Sequence, residues 1–589
     1  MSATNGTYLK QFPAEAKVIR SAFYTAFVAL GIGALMGLLQ VFNRLDILRI
    51  YEVSEQFSAG DYYSMLTLHA VLLVLTFAIF FLVGVFTWAV TTSLDRGLED
   101  IRFTWVWFGL MSLGTLLAGI AIIGGLIPGV EISAAVLYTF YAPLQAHPLF
   151  YLGLALFIVG TWLAGVDWFR SYFAWKAENP GERIPLPTFM TLTTMLFWYL
   201  SSIGVAVSVL VFLLPWSLGI IDQVNALLTR TLFWYFGHAV VYFWLMPAYL
   251  LWYVLLPKVS GGKLFSDPLA RVVFILFLIL STPTGIHHQY LDPGIAEGFK
   301  FIAMVNTMFL LLPSLLTAFT VVASMEHGAR QRGGSGYLGW LRALPWRNPV
   351  FTGMALAGLM FAAAGFSGMI NAGMNINYLV HNTWWVVGHF HLTIGTAVAL
   401  TFMAVTYWFL PQLTGKKLWS KSLGLAQVLI WFLGMALMSN AMHRQGLLGV
   451  PRRTAEPEYA GFDYSGAVGS MGELNVQIAV GGTLLFVSTL LFLIVVVMTV
   501  LGDTVDGLPV NEYAGTLSGP EDSPLVLDNL KLWAGIAVLL VILAYALPLA
   551  SIISRGGVFG PGGQPSPVFV ETIAAAGEAT LETVVEVIR

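Results

Sequence analysis

The chain has no cysteine. Iron–sulfur clusters, CxxCH heme attachment, a thiolate copper centre and disulfides are therefore excluded within it. Charge is almost as scarce: Asp, Glu, Lys and Arg make up 10% of 589 residues, and the formal net charge is −3. No basic tract offers a surface for nucleic acid, so no nucleic-acid partner is expected. Apolar residues take the remaining space. They are 58% of the chain and the mean hydropathy is +0.79, a balance that belongs to a polytopic membrane protein surrounded by membrane lipid. The polar start, MSATNGTYLKQFPAEAKVIR, lacks the pattern of a cleavable leader.

A bilayer core of ~30 Å takes roughly 20 helical residues to cross. Thirteen apolar runs qualify, at about 21–42, 65–90, 104–128, 149–172, 189–215, 228–256, 269–289, 299–323, 350–372, 384–410, 424–448, 476–501 and 530–553. Runs of this length argue for helices rather than barrel strands. The expectation is one all-α transmembrane domain over 1–589, with spans from about 21 to 553 and a tail at 554–589. Lys and Arg concentrate at the N-terminus and in the even-numbered loops, while the third and ninth loops have neither. The N-terminus is thus expected inside and the C-terminal tail outside. The eleventh loop breaks the rule with Arg444, Arg452 and Arg453, which suits binding of anionic groups.

There are only ten histidines, and six fall in or at the ends of these runs: His69, His238, His287, His288, His389 and His391. A polar ring in hydrocarbon is costly unless it is paired, so its presence is a functional hypothesis. The expected orientation gathers all six in the outer half of the membrane. His389 and His391 are two apart on a helix, about 200° around it, so they can serve two metals on opposite sides but not easily one. His69 could supply the second axial position for one of them. That would give one six-coordinate heme for electron transfer and one five-coordinate heme with an open face. His238, His287 and His288 form a three-imidazole set that suits copper, zinc or iron and leaves a position free for substrate. The bland reading of each piece is hydrogen-bonded core histidine; six together argue against it.

Tyr242 follows His238 by four residues and shares its helix face. A phenol beside a metal can donate a proton and an electron together. Tyr249 and Tyr253 continue that stripe inward, and Ser314 with Thr317 adds hydroxyls three apart on the eighth span. These read either as interhelical hydrogen bonding or as a proton wire.

GHAVVYFW, STPTGIHHQYLDPG, HNTWWVVGHFHL and VPRRT together resemble the catalytic subunit I of heme-copper oxygen reductases, in particular the B family that includes the ba-type cytochrome c oxidases. The similarity runs from about Tyr51 to LSGPEDSPLVL. It implies the subunit I fold, two hemes (one low-spin, one high-spin) and one copper ion. His69 and His391 would be the axial ligands of the low-spin heme, and His389 the ligand of the high-spin heme. His238, His287 and His288 would bind copper, with Tyr242 as the active-site tyrosine, covalently linked to His238. Arg452 and Arg453 would pair with heme propionates, and His381 with Asn377 would lie beside them. Tyr249, Tyr253, Ser314 and Thr317 match the family's proton pathway. The implied activity is reduction of O2 to water coupled to proton translocation. The setting would be a prokaryotic plasma membrane, as a multi-pass protein. Without cysteine the chain cannot hold the dinuclear copper entry centre of this family. A subunit II would carry it and take electrons from cytochrome c or a blue copper protein.

Two departures stand out. Val240 and Ala239 occupy positions where A-family oxidases carry a glutamate and a proline, which argues against an A-family pathway. Asn377 stands where the B family has an aspartate four residues before His381; an amide can hydrogen-bond a propionate but cannot exchange protons with it. The alternatives are a nitric oxide reductase of the same superfamily, which typically has iron and glutamates in place of the copper and tyrosine, and a non-redox transporter with buried histidines.

Overall fold

The computed structural model describes residues 6–48, 59–455 and 465–560. The tail expected at 554–589 lies outside the described residues beyond position 560. Among the described residues, twelve helices are long and apolar enough to cross a membrane. In chain order they are α1 (Pro13–Arg44), α2 (Gly60–Leu94), α3 (Ile101–Gly124), α4 (Pro148–Glu178), α5 (Leu186–Ser217) and α6 (Ala226–Ser260), then α8 (Glu297–Gln331), α9 (Pro349–Ala372), α10 (Trp384–Thr414), α11 (Lys421–Leu447), α12 (Gly472–Leu501) and α13 (Leu530–Gly556). The chain is a multi-pass membrane protein.

The seventh expected span, 269–289, is broken. Its helix α7 covers Asp267–Ser281, and a tight 3₁₀ turn follows at Gly285–Gln289. Pro283 between them has no amide hydrogen to continue the helix. Polar caps start several helices: Asn225 Oδ1 accepts the Leu228 amide at the head of α6, and Ser266 and Ser420 do the same for α7 and α11.

Spans α2, α6 and α10 are the most enclosed, and these carry His69, His238 and the His389/His391 pair. The exposed apolar residues lie on outer helices such as α1, α3, α8 and α13, as a lipid-facing ring requires. One apolar core runs from Tyr8 to Ala537. On the N-terminal face a buried ion network holds α7. Arg271, fully buried, donates to Asp267 at 2.5 Å and to Asp528 at 2.6 Å. Asp528 also accepts from Arg183 at 2.5 Å. Beside it, β1 (Leu264–Ser266) pairs in parallel with β2 (Thr516–Ser518).

Candidate functional site

The break in the seventh span builds the first cluster. At Gly285 the turn backs directly onto α6, where a Cβ would collide with the Trp234 carbonyl oxygen. Only glycine permits that approach. It carries His287 and His288 to His238: Nε2 of His287 lies 2.8 Å, and Nε2 of His288 3.0 Å, from Nδ1 of His238. Among the described residues this is the one group of three or more His, Cys, Asp or Glu side chains whose ligand atoms converge, all within 4.8 Å. Metal–imidazole bonds of about 2 Å are compatible with three nitrogens this close. On its other side His238 presents Nε2 to the Tyr242 hydroxyl at 3.0 Å.

Neighbours fix the rings. Nδ1 of His287 meets Thr307 Oγ1 at 2.7 Å, and the His288 ring lies on Trp234 with centroids 3.8 Å apart and planes 9° from parallel. Sequence reasoning missed both. Trp234 was findable, since Trp234, His238 and Tyr242 recur every four residues on one face of α6; Thr307 had no such signal.

His389 and His391 stand at the junction where α10 widens into a π-helical stretch, His391–Val398, and His69 lies two residues before another, Val71–Phe77. Such π turns are frequent at functional sites. The rings of His69 and His391 face each other, 6.3 Å between centroids and 19° from parallel. One metal between two imidazoles, with bonds of about 2 Å and about 1 Å more to each ring centre, requires roughly 6 Å. Nδ1 of His69 bonds the Gly33 carbonyl at 2.8 Å and Nδ1 of His391 the Val387 carbonyl at 2.9 Å. These bonds set the tautomer and leave each Nε2 for a metal. The pair fits an axially coordinated heme iron.

His389 points the other way. Its Nδ1 meets Ser367 Oγ at 2.9 Å and the Ala364 carbonyl at 3.1 Å, which again frees Nε2; Ser367 was not anticipated. His389, His238, His287, His288, Tyr242, Ser314, Asn377, His381 and Arg452 line one cavity. A cavity with an imidazole on one wall and a three-imidazole cluster on another fits a second heme facing a metal ion.

The edge of this region is cationic. Residues 381–384 and 450–453 are zipped by Trp384 N to Val450 O and Arg452 N to Asn382 O, both 2.9 Å. Asn382 and Arg453 hold positive φ, 56° and 67°, an uncommon conformation for such residues that concentrates at functional sites. Burial and the adjoining Arg453 bring the Arg452 guanidinium down to about 10. Burial and Arg452 push His381 down to about 4. Nη2 of Arg453 and Nε1 of Trp384 are buried without a hydrogen-bond acceptor. Repelling cations and orphaned donors fit carboxylates such as heme propionates. Asn377 Oδ1 lies 3.2 Å from His381 Nδ1, and its amide donates to the Asn371 carbonyl at 2.6 Å.

The expected hydroxyl row is in register. Tyr253 donates to Thr317 Oγ1 at 2.8 Å, and Tyr249 to Ser314 Oγ at 3.3 Å. Both tyrosines are fully buried, and Ser314 shares a cavity wall with Tyr242. Thr320 and Ser324, also fully buried, extend the row along α8 toward the N-terminal face.

The family model for cytochrome c and quinol oxidase polypeptide I matches residues 17–484. A cytochrome c oxidase subunit 1 of Thermus thermophilus is 42% identical over 536 residues, 89% of this chain and 93% of that protein. A probable cytochrome c oxidase subunit 1-beta of Nocardia farcinica is 27% identical over 83% of this chain and 79% of its own length. Among solved structures, one described as a heme-copper terminal oxidase dimer superposes with a TM-score of 0.86 at 36% identity, covering 94% of this chain and 95% of that one.

Proposed function

The chain belongs to the cytochrome c and quinol oxidase polypeptide I family and is the catalytic subunit of a heme-copper terminal oxidase, and from that premise we propose what each part of its site does. The enzyme reduces oxygen and works within an oxidase complex that includes other subunits and an electron donor. Hemes and copper belong to it as a family member. Neither the nitric oxide reductase nor the transporter reading is favoured.

His69 and His391 hold a low-spin heme, His389 a high-spin heme, and His238, His287 and His288 one copper ion. The observation that carries this is the shared cavity: one free imidazole nitrogen on α10 across from three convergent ones on α6 and the turn after α7. When bound, these groups supply the electrons and the metal face at which oxygen is reduced. Tyr242, in hydrogen-bond reach of His238, donates a proton and an electron. Ser314, Tyr249, Thr317 and Tyr253 pass protons to the cavity from the N-terminal face, which lies inside a prokaryotic plasma membrane. Arg452 and Arg453 neutralise the propionates, with Asn377 and His381 beside them, and protons are translocated across the membrane. Electrons come from cytochrome c or a blue copper protein through a subunit II with a dinuclear copper centre, since this chain has no thiolate to build one.

A reduced-minus-oxidised optical spectrum together with metal analysis tests the assignment. Two heme species of different spin state and, after subtraction of subunit II copper, one copper per chain are expected. A single heme species, or no such copper, overturns it. Gly285→Ala should lower that copper and oxygen consumption together: the added methyl has no room against α6, an overpacking that costs about 1–3 kcal/mol. Full copper occupancy at wild-type turnover would show that the close approach is not needed.

Thr317→Val keeps the side-chain shape and deletes the hydroxyl that accepts from Tyr253. Slower proton uptake and turnover are expected, with unchanged heme spectra. Wild-type proton-uptake kinetics would remove Thr317 from the path.

A further inference from the structure

From His327 to Ala455 the chain has no Asp or Glu. The two loops of this stretch on the N-terminal face, between α8 and α9 and between α10 and α11, nevertheless carry exposed cations: Arg342, Arg347, Lys417 and Lys421. Among the described residues none of the four has a carboxylate within ion-pairing reach. Glu326, the last acid before the stretch, is taken by Arg330.

The helices that carry these loops are neighbours: Gly353 in the first turns of α9 packs on Ala404 of α10, with Val428 of α11 alongside. Trp346 and Trp419, 40% and 49% exposed, sit next to Arg347 and between Lys417 and Lys421 in the sequence. Trp340 is buried and pins its loop, its indole donating to the Tyr337 carbonyl at 3.0 Å. From Lys421 an exposed apolar track climbs α11 at a spacing of four: Leu429, Leu433 and Leu437.

We propose that this patch is a binding site for an anionic phospholipid of the adjoining leaflet. Its phosphodiester would lie among Arg342, Arg347, Lys417 and Lys421, its glycerol region against Trp346 and Trp419, and an acyl chain along Leu429, Leu433 and Leu437. Each part matches a part of the lipid. Arginine and lysine at helix ends attract anionic headgroups, and tryptophan prefers the headgroup level. The leucine track offers hydrocarbon depth on the same helix as Lys421, whereas a protein partner that only neutralised the four cations would need no such track. The net positive charge is what selects an anionic over a zwitterionic lipid.

The test is native mass spectrometry of the purified, delipidated complex. It is titrated with phosphatidylglycerol and with phosphatidylcholine of identical chains. The wild type should retain phosphatidylglycerol preferentially. Combining Arg342→Gln, Arg347→Gln, Lys417→Gln and Lys421→Gln should cut that preference by at least about tenfold, given several-fold per surface cation. Heme spectra check the fold of that variant. Arg342→Lys with Arg347→Lys keeps the charge and should keep the preference. In parallel, brominated phosphatidylglycerol should quench wild-type tryptophan emission more than that of the Trp346→Phe, Trp419→Phe protein. Equal retention of both lipids by the wild type overturns the proposal, as does an unchanged preference in the quadruple variant. A preference that emerges only after another subunit is stripped away also overturns it and assigns the patch to that subunit.

Discussion

Tyr242→Phe should leave the hemes, the copper and the fold in place and lower oxygen consumption by at least about a hundredfold. The substitution removes one oxygen atom from a side chain lodged between His238 and Phe277. It forfeits one hydrogen bond, the 3.0 Å contact with His238 Nε2, at a cost of about 1 kcal/mol. Such a change cannot by itself unfold thirteen packed helices. The chemical loss is of another order. Reducing O2 to water takes four electrons and four protons. The phenol is the side chain placed to give one of each, because it lines the cavity that holds all three imidazoles of the cluster and His389. Reduction of nitric oxide takes two electrons per pair of molecules and should suffer less, so the ratio of the two activities separates loss of the phenol from general damage. Oxygen turnover at the wild-type rate, with intact spectra, would reduce Tyr242 to packing and remove the main chemical ground for assigning oxygen to this cavity.

His391→Ala should abolish the low-spin heme spectrum and electron delivery to the oxygen-reducing cavity while high-spin heme remains bound. The reason is directional. His391 faces His69 at 6.3 Å, whereas His389 faces away, held by Ser367 and Ala364. Removing one ring strips one side of α10 only. His69 stays anchored on Gly33 but would be the sole ligand opposite an alanine. Pyridine hemochrome analysis with low-temperature spectra would measure the loss. If a folded protein lost both hemes together, or neither, the division of α10 into two faces would be wrong.

The membrane class, the helical architecture and the candidate side chains were legible in the residues themselves. Apolar runs of about 20 residues can hide their backbone polar groups in a bilayer only as helices. Imidazoles in such runs are too costly to be incidental, so His69, His238, His287, His288, His389 and His391 announced themselves. The 200° between His389 and His391 already implied two sites, since helical pitch is a local property. What tertiary structure alone decided is which nitrogen faces what, and at what distance. Nothing local says that Gly285 must back onto the Trp234 carbonyl, or that the seventh run breaks there instead of spanning as one helix. That break depends on a surface of α6 some 50 residues earlier in the chain, and it is what swings His287 and His288 to within 3.0 Å of His238. The same holds for Thr307, Ser367 and Trp384. Each is an ordinary residue for its helix, and each becomes part of the site only because another helix delivers a ring nitrogen or a cation beside it. Pitch, hydropathy and the cost of buried polarity act within a segment, so the sequence carries them; contact between segments is a property of the packed bundle.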